Sequence, residues 1–243
     1  MLDLQIGSTI RAAELGGGVA SVSSSNGVLR IEVGVGQATS FSFASETIVP
    51  TPAVDASGLT SEGGTLIAAG PDGKELWRQP GVVGKLVGRT TDRIIELGAD
   101  NQLRGINVNG TLEWNTRLDH ALFVSDAQLV DGIVYAFGRS SNPDKAEGAS
   151  TIAALDATTG SLVWSATLAA ARDGLVRVAG DVIVVGFDNE TSTPSASTTI
   201  VAVDRATGAA LWSQPVSHPH VVALEPANDG VLVVTTDQAF GCA

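Results

Sequence analysis

Residues 152–164 read Ile-Ala-Ala-Leu-Asp-Ala-Thr-Thr-Gly-Ser-Leu-Val-Trp, and residues 200–212 repeat the pattern as Ile-Val-Ala-Val-Asp-Arg-Ala-Thr-Gly-Ala-Ala-Leu-Trp. Each copy begins with a short apolar run rich in β-branched residues, which favours a strand. The segment from Asp to Gly predicts a turn, because the carboxylate can accept backbone hydrogen bonds and glycine readily adopts a positive φ. Each stretch therefore predicts a β-hairpin that ends on a tryptophan.

The same hairpin pattern occurs at residues 66–77 and 103–114, and in degenerate form at residues 29–40, where Ser40 replaces the tryptophan. A large indole at the end of a strand can dock across a neighbouring sheet while its N–H finds an acceptor. We therefore expect structural roles for the repeated residues, which are Trp77, Trp114, Trp164 and Trp212, Gly73, Gly110, Gly160 and Gly208, and Asp156 and Asp204. A catalytic role for the two aspartates is the alternative, and their identical place in each copy favours turn chemistry.

Two further strand candidates precede each of the better hairpins. Before Trp164 they are residues 127–130 and 133–137, which are joined by Asp131-Gly132. Each repeat therefore predicts four short antiparallel strands, denoted a to d, and helical periodicity is nearly absent. Four-stranded sheets repeated at intervals of about 40–50 residues are typical of a β-propeller.

The spacing predicts one all-β domain over residues 1–243 made of four-stranded antiparallel blades. The blocks lie at about residues 9–43, 44–81, 82–119, 120–171 and 172–217, followed by a partial block at 218–243. The partial block contains candidates for strands a, b and c but none for strand d. We expect residues 2–6 to supply that strand d, because closing the ring of blades removes exposed strand edges. This arrangement gives six blades. The alternative is a fragment of a seven- or eight-bladed ring.

The composition excludes several classes of function. The chain has 14 Lys and Arg against 26 Asp and Glu, for a net charge of −12, which argues against nucleic-acid binding. Its single cysteine excludes an internal disulfide framework and a cysteine-rich zinc site. No stretch approaches the ~18 apolar residues of a membrane-spanning helix. An anchor or signal on a segment absent from this chain stays open.

The phrase Ala-Leu-Asp-x-x-Thr-Gly-x-x-x-Trp at residues 154–164 resembles the repeat of pyrroloquinoline-quinone-like β-propellers. That family includes quinoprotein alcohol dehydrogenases and a non-enzymatic lipoprotein of the outer-membrane β-barrel assembly machine. A quinoprotein enzyme of this kind would typically carry adjacent cysteines over its cofactor, and Cys242 stands alone. The resemblance therefore implies the non-enzymatic branch, and we expect no cofactor.

Long polar loops between strands b and c indicate a binding face. Residues 139–150 and 188–197 are insertions at the same loop position, so they emerge on one side of the repeats together with residues 218–220. The candidate binding residues are Asn142, Asp144, Lys145, Glu147, Asp188, Asn189, Glu190, His218 and His220. His218 and His220 are also weak candidates for metal ligands, although a plain polar loop explains them better. Long loops tolerated because they are solvated are the structural alternative for this face.

Together these patterns predict a non-catalytic scaffold or assembly subunit of a bacterial envelope complex. We expect it to bind a membrane-associated protein partner and no nucleic acid. A ligand-sensing ectodomain of a membrane-bound receptor or kinase is the main alternative, and a quinoprotein-like enzyme is a distant one. The resemblance implies a location outside the cytoplasmic membrane.

Overall fold

The computed structural model of the chain describes residues 11–14, 19–25, 28–33, 37–42, 59–62, 65–69, 74–80, 84–118, 122–140, 149–189, 198–216, 221–227, 230–235 and 238–241. All regular structure within these ranges is β-strand. The first seven strands are β1 (Arg11–Glu14), β2 (Val19–Ser25), β3 (Val28–Val33), β4 (Gln37–Ser42), β5 (Leu59–Glu62), β6 (Thr65–Ala69) and β7 (Glu75–Pro80). The next seven are β8 (Gly84–Arg89), β9 (Arg93–Gly98), β10 (Gln102–Asn107), β11 (Leu112–Arg117), β12 (Leu122–Val130), β13 (Ile133–Ser140) and β14 (Ala149–Asp156). The last seven are β15 (Leu162–Ala179), β16 (Val182–Asn189), β17 (Thr198–Asp204), β18 (Ala210–Val216), β19 (Val221–Ala227), β20 (Gly230–Thr235) and β21 (Gln238–Gly241).

Sequential antiparallel pairing organises these strands into six sheets. The first sheet is β2–β4, the second is β5–β7 and the third is β8–β11. A seven-stranded sheet follows, in which β15 belongs to two units: residues 162–170 pair with β14, and residues 171–179 pair with β16. We call β12–β14 with the first half of β15 the fourth sheet, and the second half of β15 with β16–β18 the fifth sheet. The prediction of an all-β fold with four-stranded antiparallel blades is confirmed by the third to sixth sheets, while the first and second sheets have three strands each in the described residues.

The sixth sheet joins the two ends of the described chain. Strands β19–β21 pair in order, and β1 adds to the free edge of β21 with Arg11 opposite Gly241 and Glu14 opposite Gln238. The sequence predicts residues 2–6 at this position, and these lie outside the described residues; it also predicts that residues 9–13 belong to the first blade. The structure instead gives the position of strand d to Arg11–Glu14.

The core lies between the faces of neighbouring sheets. Middle strands such as β14 and β17 are buried along almost their whole length, whereas the outer strand β18 alternates between exposed and half-buried residues. Ile95, Leu103 and Val134 lie in the cluster between the third and fourth sheets. Phe137 and Phe187 stack with ring centroids 5.8 Å apart between the fourth and fifth sheets. Because a middle strand contacts a sheet on each side, both of its faces are apolar.

Candidate functional site

The two ends of the sheets form distinct faces. On one end, the turn between strands a and b meets the turn between strands c and d: Ala157 N donates to Gly132 O at 2.9 Å and Arg205 N donates to Asp181 O at 2.9 Å. We call this end the turn face. We call the opposite end the loop face, because strand b ends there and strand a begins there. At this end the chain leaves β13 at Ser140 and enters β14 at Ala149, and it leaves β16 at Asn189 and enters β17 at Thr198.

Three of the repeated tryptophans join their own sheet to the turn of the next one. The indole N–H of Trp77 donates to Val108 O at 2.6 Å, that of Trp114 to Ala157 O at 3.1 Å, and that of Trp164 to Arg205 O at 3.2 Å. The repeated glycines lie under these rings. A Cβ added to Gly160 would approach Trp114 to 2.6 Å, and Gly110 and Gly208 are similarly close to Trp77 and Trp164. Trp212 packs against the cluster between the fifth and sixth sheets. Gly73 lies outside the described residues.

The repeated aspartates are engaged within their own turns. Oδ1 of Asp156 accepts hydrogen bonds from Thr158 N at 2.9 Å and Thr159 N at 2.8 Å. Oδ1 of Asp204 accepts from Thr207 N at 2.8 Å and from the Thr207 hydroxyl at 2.7 Å. The Thr207 hydroxyl, followed by the Thr207 backbone amide, lowers the pKa of Asp204 below its ordinary value because these bonds favour the ionised form. These contacts give both carboxylates a turn-stabilising role.

Of the loop-face candidates named from the sequence, the structure describes the side chain of Asp188 and the backbone of Asn189. Oδ1 of Asp188 accepts a hydrogen bond from Val221 N at 3.3 Å, so it links the fifth sheet to the start of β19. Seven candidates lie outside the described residues: Asn142, Asp144, Lys145, Glu147, Glu190, His218 and His220. The structure therefore brings no pair of the nine candidate side chains together in its described part.

An aromatic–cation pair on the loop face went unrecognised in the sequence. Phe123 near the start of β12 is 51% exposed, and the guanidinium of Arg139 lies 5.9 Å from the centre of its ring. Arg139 is near the end of β13, next to the loop at residues 141–148. Register explains the proximity, because Phe123 and Arg139 are direct cross-strand partners. The sequence feature that could have indicated this pair is an aromatic residue at the start of an inner strand.

An ion-pair network around one buried carboxylate links three sheets through their inner strands. The side chain of Asp126 on β12 is only 1% exposed and lies between two cations on neighbouring sheets. Lys85 Nζ on β8 lies 2.5 Å from Oδ1 of Asp126, and Arg177 Nη1 on β15 lies 2.7 Å from Oδ2. Removing one cation would leave the buried carboxylate with one ionic partner, and removing both would leave a buried unpaired charge, which is strongly destabilising.

Side chains of one inner strand also accept hydrogen bonds from backbone N–H groups of the next inner strand. Val176 N donates to Oδ2 of Asp126 at 3.1 Å, and Val178 N donates to Oε1 of Gln128 at 2.8 Å. An inner strand has one edge without a backbone partner, so these amides would otherwise depend on solvent. The carboxylate of Asp126 therefore has a structural role, in which it links the fourth and fifth sheets.

Glu96 on β9 is a second buried carboxylate with a different environment. It is 2% exposed, and within the described part of the chain neither of its carboxylate oxygens has a hydrogen-bond partner. Burial raises the pKa of Glu96 above its ordinary value, and the charge of Arg104 opposes this only in part. The guanidinium of Arg104 instead binds the carboxylate of Asp100. Glu96 lies on the same face of β9 as Ile94, which packs with Leu66 of the second sheet.

The described residues contain no group of three or more His, Cys, Asp or Glu side chains arranged to hold a metal ion. They also contain no helix that is long and apolar enough to cross a membrane.

Comparison with known proteins matches residues 148–241 to a family model described as the outer membrane protein assembly factor BamB. No curated protein matches the chain. Among solved structures, the computationally designed Ika4 protein has a TM-score of 0.54 at 17% identity, covering 70% of this chain and 99% of that one. The quinohemoprotein alcohol dehydrogenase from Comamonas testosteroni has a TM-score of 0.50 at 11% identity, covering 94% of this chain and 42% of that one. BamB from Moraxella catarrhalis has a TM-score of 0.48 at 16% identity, covering 89% of this chain and 77% of that one.

At these identities the structural matches show the fold alone. The family model carries the resemblance further, because residues 148–241 include both of the clearest hairpin repeats, at 152–164 and 200–212. Residues 148–241 are therefore similar to the BamB family model, and the chain as a whole has the fold of a β-propeller.

Proposed function

We propose that this protein is a non-catalytic scaffold that binds a protein partner through its loop face, as an extracytoplasmic subunit of a bacterial envelope assembly complex. The single observation that carries the choice of face is the exposed Phe123 with the Arg139 guanidinium beside its ring. Aromatic residues and arginine are enriched at protein interfaces, and a few such residues contribute most of the binding energy.

The surrounding framework supports this role. The tryptophan contacts and the Lys85–Asp126–Arg177 network tie successive sheets together, so the loop face rests on a rigid base. Loops held on a rigid framework commonly carry function. The envelope location rests on the family model, whose description names an outer membrane protein assembly factor. Asp156 and Asp204 already serve their turns, which favours binding over acid–base catalysis.

The test compares the loop-face end of the fourth sheet with its turn-face end. Phe123→Ala and Arg139→Ala remove the loop-face pair, and Thr158→Ala alters an exposed residue on the turn face of the same sheet. A photo-crosslinking amino acid placed at position 123 first captures the partner from native envelopes, and the purified partner is then titrated against each variant. We expect Phe123→Ala to weaken binding about tenfold, which corresponds to ~1.4 kcal/mol, and Thr158→Ala to leave it unchanged.

If all three variants bind the partner with the affinity of the wild-type chain, the loop face is not the binding surface. Loss of binding by Thr158→Ala alone would move the interface to the turn face. A small molecule that raises the Tm of the chain, with no protein captured, would favour the ligand-sensing alternative instead.

A further inference from the structure

The outer edge of β15 is a free strand edge on the perimeter of the fourth sheet. β14 pairs with one side of it, with Trp164 opposite Ala154 and Leu168 opposite Ser150. In the part of the chain that the structure describes, no strand pairs with the other side of residues 162–168. A free edge presents a row of backbone N–H and C=O groups that can template pairing with another strand.

This edge lacks the residues that protect the outer strands of the second, third and fifth sheets. β7 carries Glu75, Arg78 and Pro80, β11 carries Glu113 and Arg117, and β18 carries Pro215. Charges and proline on an edge oppose pairing. Residues 162–168 read Leu-Val-Trp-Ser-Ala-Thr-Leu, with no charge and no proline. The strand also continues to residue 170 before β16 takes over the pairing, so it is longer than the outer strands β7, β11 and β18.

The exposed side chains of this edge are uncharged as well. Leu162 and Val163 are 56% and 55% exposed, and Ser165 and Thr167 are exposed beside them. Trp164, Ala166 and Leu168 face the cluster between the fourth and fifth sheets. The regular ladder with β14 runs from Trp164 to Leu168, and the register shift between Ala154 and Leu155 marks a bulge before it.

The regular stretch is complementary to itself. If two copies align antiparallel about Ala166, Ser165 of each copy faces Thr167 of the other, and Trp164 of each faces Leu168 of the other. Hydroxyl pairs between Ser and Thr, and aromatic–aliphatic pairs, are favourable across strands. A twofold axis through Ala166 makes both halves of the contact identical, as in most homodimers.

We propose that the outer edge of β15 pairs with the same edge of a second copy of this chain to form an antiparallel dimer. Among the outer strands of the second to fifth sheets, this edge alone has neither charge nor proline within the described residues; β4 of the first sheet is also uncharged but is shorter, with six residues. Each copy carries a net charge of −12, so two copies repel at long range, and an approach is favoured where neither presents charge. The dimer contact runs along the perimeter of the fourth sheet and does not depend on the partner proposed for the loop face.

The experiment places one charge on the edge and then its complement. Ser165→Lys and Thr167→Glu each change an exposed residue of the edge, and Ser213→Lys is the matched control, because Ser213 follows Trp212 on β18 as Ser165 follows Trp164. Sedimentation velocity over a concentration series measures the monomer–dimer Kd of each protein. Far-UV circular dichroism and Tm verify that each variant is folded.

We expect the wild-type chain and Ser213→Lys to dimerise equally, and each edge variant alone to raise the Kd by about tenfold or more. An equimolar mixture of Ser165→Lys and Thr167→Glu should restore dimers, because the introduced ammonium group of one copy then faces the introduced carboxylate of the other. Added salt should strengthen the wild-type dimer by screening the repulsion between the two acidic chains. A wild-type chain that stays monomeric at every concentration, an equal effect of Ser213→Lys, or a mixture that fails to dimerise would each overturn the proposal.

Discussion

Among single residues, whether a buried carboxylate finds ionic and hydrogen-bond partners depends on which part of the neighbouring sheet it contacts. Asp126 is buried with two cations and a backbone amide around it, whereas Glu96 is buried with neither oxygen bonded to the described residues. Both lie on strands that read as ordinary apolar segments. The difference follows from strand position: Asp126 faces inner strands of adjacent sheets, and Glu96 faces the packing surface shared with Leu66.

Glu96→Gln should stabilise the protein at neutral pH. Burial raises the pKa of Glu96 in the folded chain above its ordinary 4.5, so the folded state holds a proton that the unfolded state has released. The free energy of unfolding therefore falls as pH rises from about 4.5 through the raised pKa, and the loss persists at higher pH. Replacing the carboxylate by an amide removes this loss and should gain ~1 kcal/mol at pH 7.

Urea unfolding of both proteins at pH 4 and pH 7 measures this effect. Glu75→Gln is the control with the opposite sign, because hydrogen bonding to Arg78 lowers the pKa of Glu75. No gain in the stability of Glu96→Gln at pH 7, or an equal gain at both pH values, would contradict the expected titration.

Among strands and turns, the fold repeats one contact: the last strand of a sheet carries, as its third residue, an indole that lies over the final turn of the next sheet. The contact requires a glycine with positive φ and no side chain, as at Gly160 under Trp114. The hairpin and its docking site therefore depend on the same residue. The connection between the fourth and fifth sheets differs, because β15 runs through both without interruption.

Gly160→Ala should cost much more stability than Gly132→Ala. Both glycines have a positive φ, +70° at Gly160 and +76° at Gly132, so each alanine introduces a similar backbone strain of ~1 kcal/mol. A methyl group at Gly132 would meet open space, whereas one at Gly160 would lie 2.6 Å from the indole of Trp114. Displacing that ring adds ~1–3 kcal/mol. Chemical denaturation of both variants measures the difference, and equal costs would show that Trp114 does not rest on this turn.

For the molecule as a whole, the pairing of β1 with β21 joins strands from the two ends of the described chain. This pair covers the edge of β21, which would otherwise be free. The pairing supports a ring of blades in which the N-terminal segment contributes the outer strand of the sixth sheet. It also shifts the expected closing strand from residues 2–6 to residues 11–14.

Deletion of residues 1–14 should lower the Tm more than deletion of residues 1–7. The longer deletion removes β1 and exposes the edge of β21, whereas the shorter one retains every residue of that pairing. Differential scanning calorimetry on the two truncated chains provides the comparison. If removal of residues 1–7 alone causes the full loss, then residues 2–6 contribute the closing contact after all.

The all-β fold, the four-stranded repeat and the turn chemistry could be predicted from the amino-acid sequence, because they depend on residues close together along the chain. The carboxylate of Asp156 bonds to amides two and three residues ahead, and the hairpin pattern around it is visible without the fold. The contacts between sheets emerged only from the folded chain. Asp126 meets Lys85 across 41 residues and Arg177 across 51, and β1 meets β21 across most of the chain. Such partners share no local pattern, since their proximity arises from the stacking of sheets that are each built from neighbouring strands.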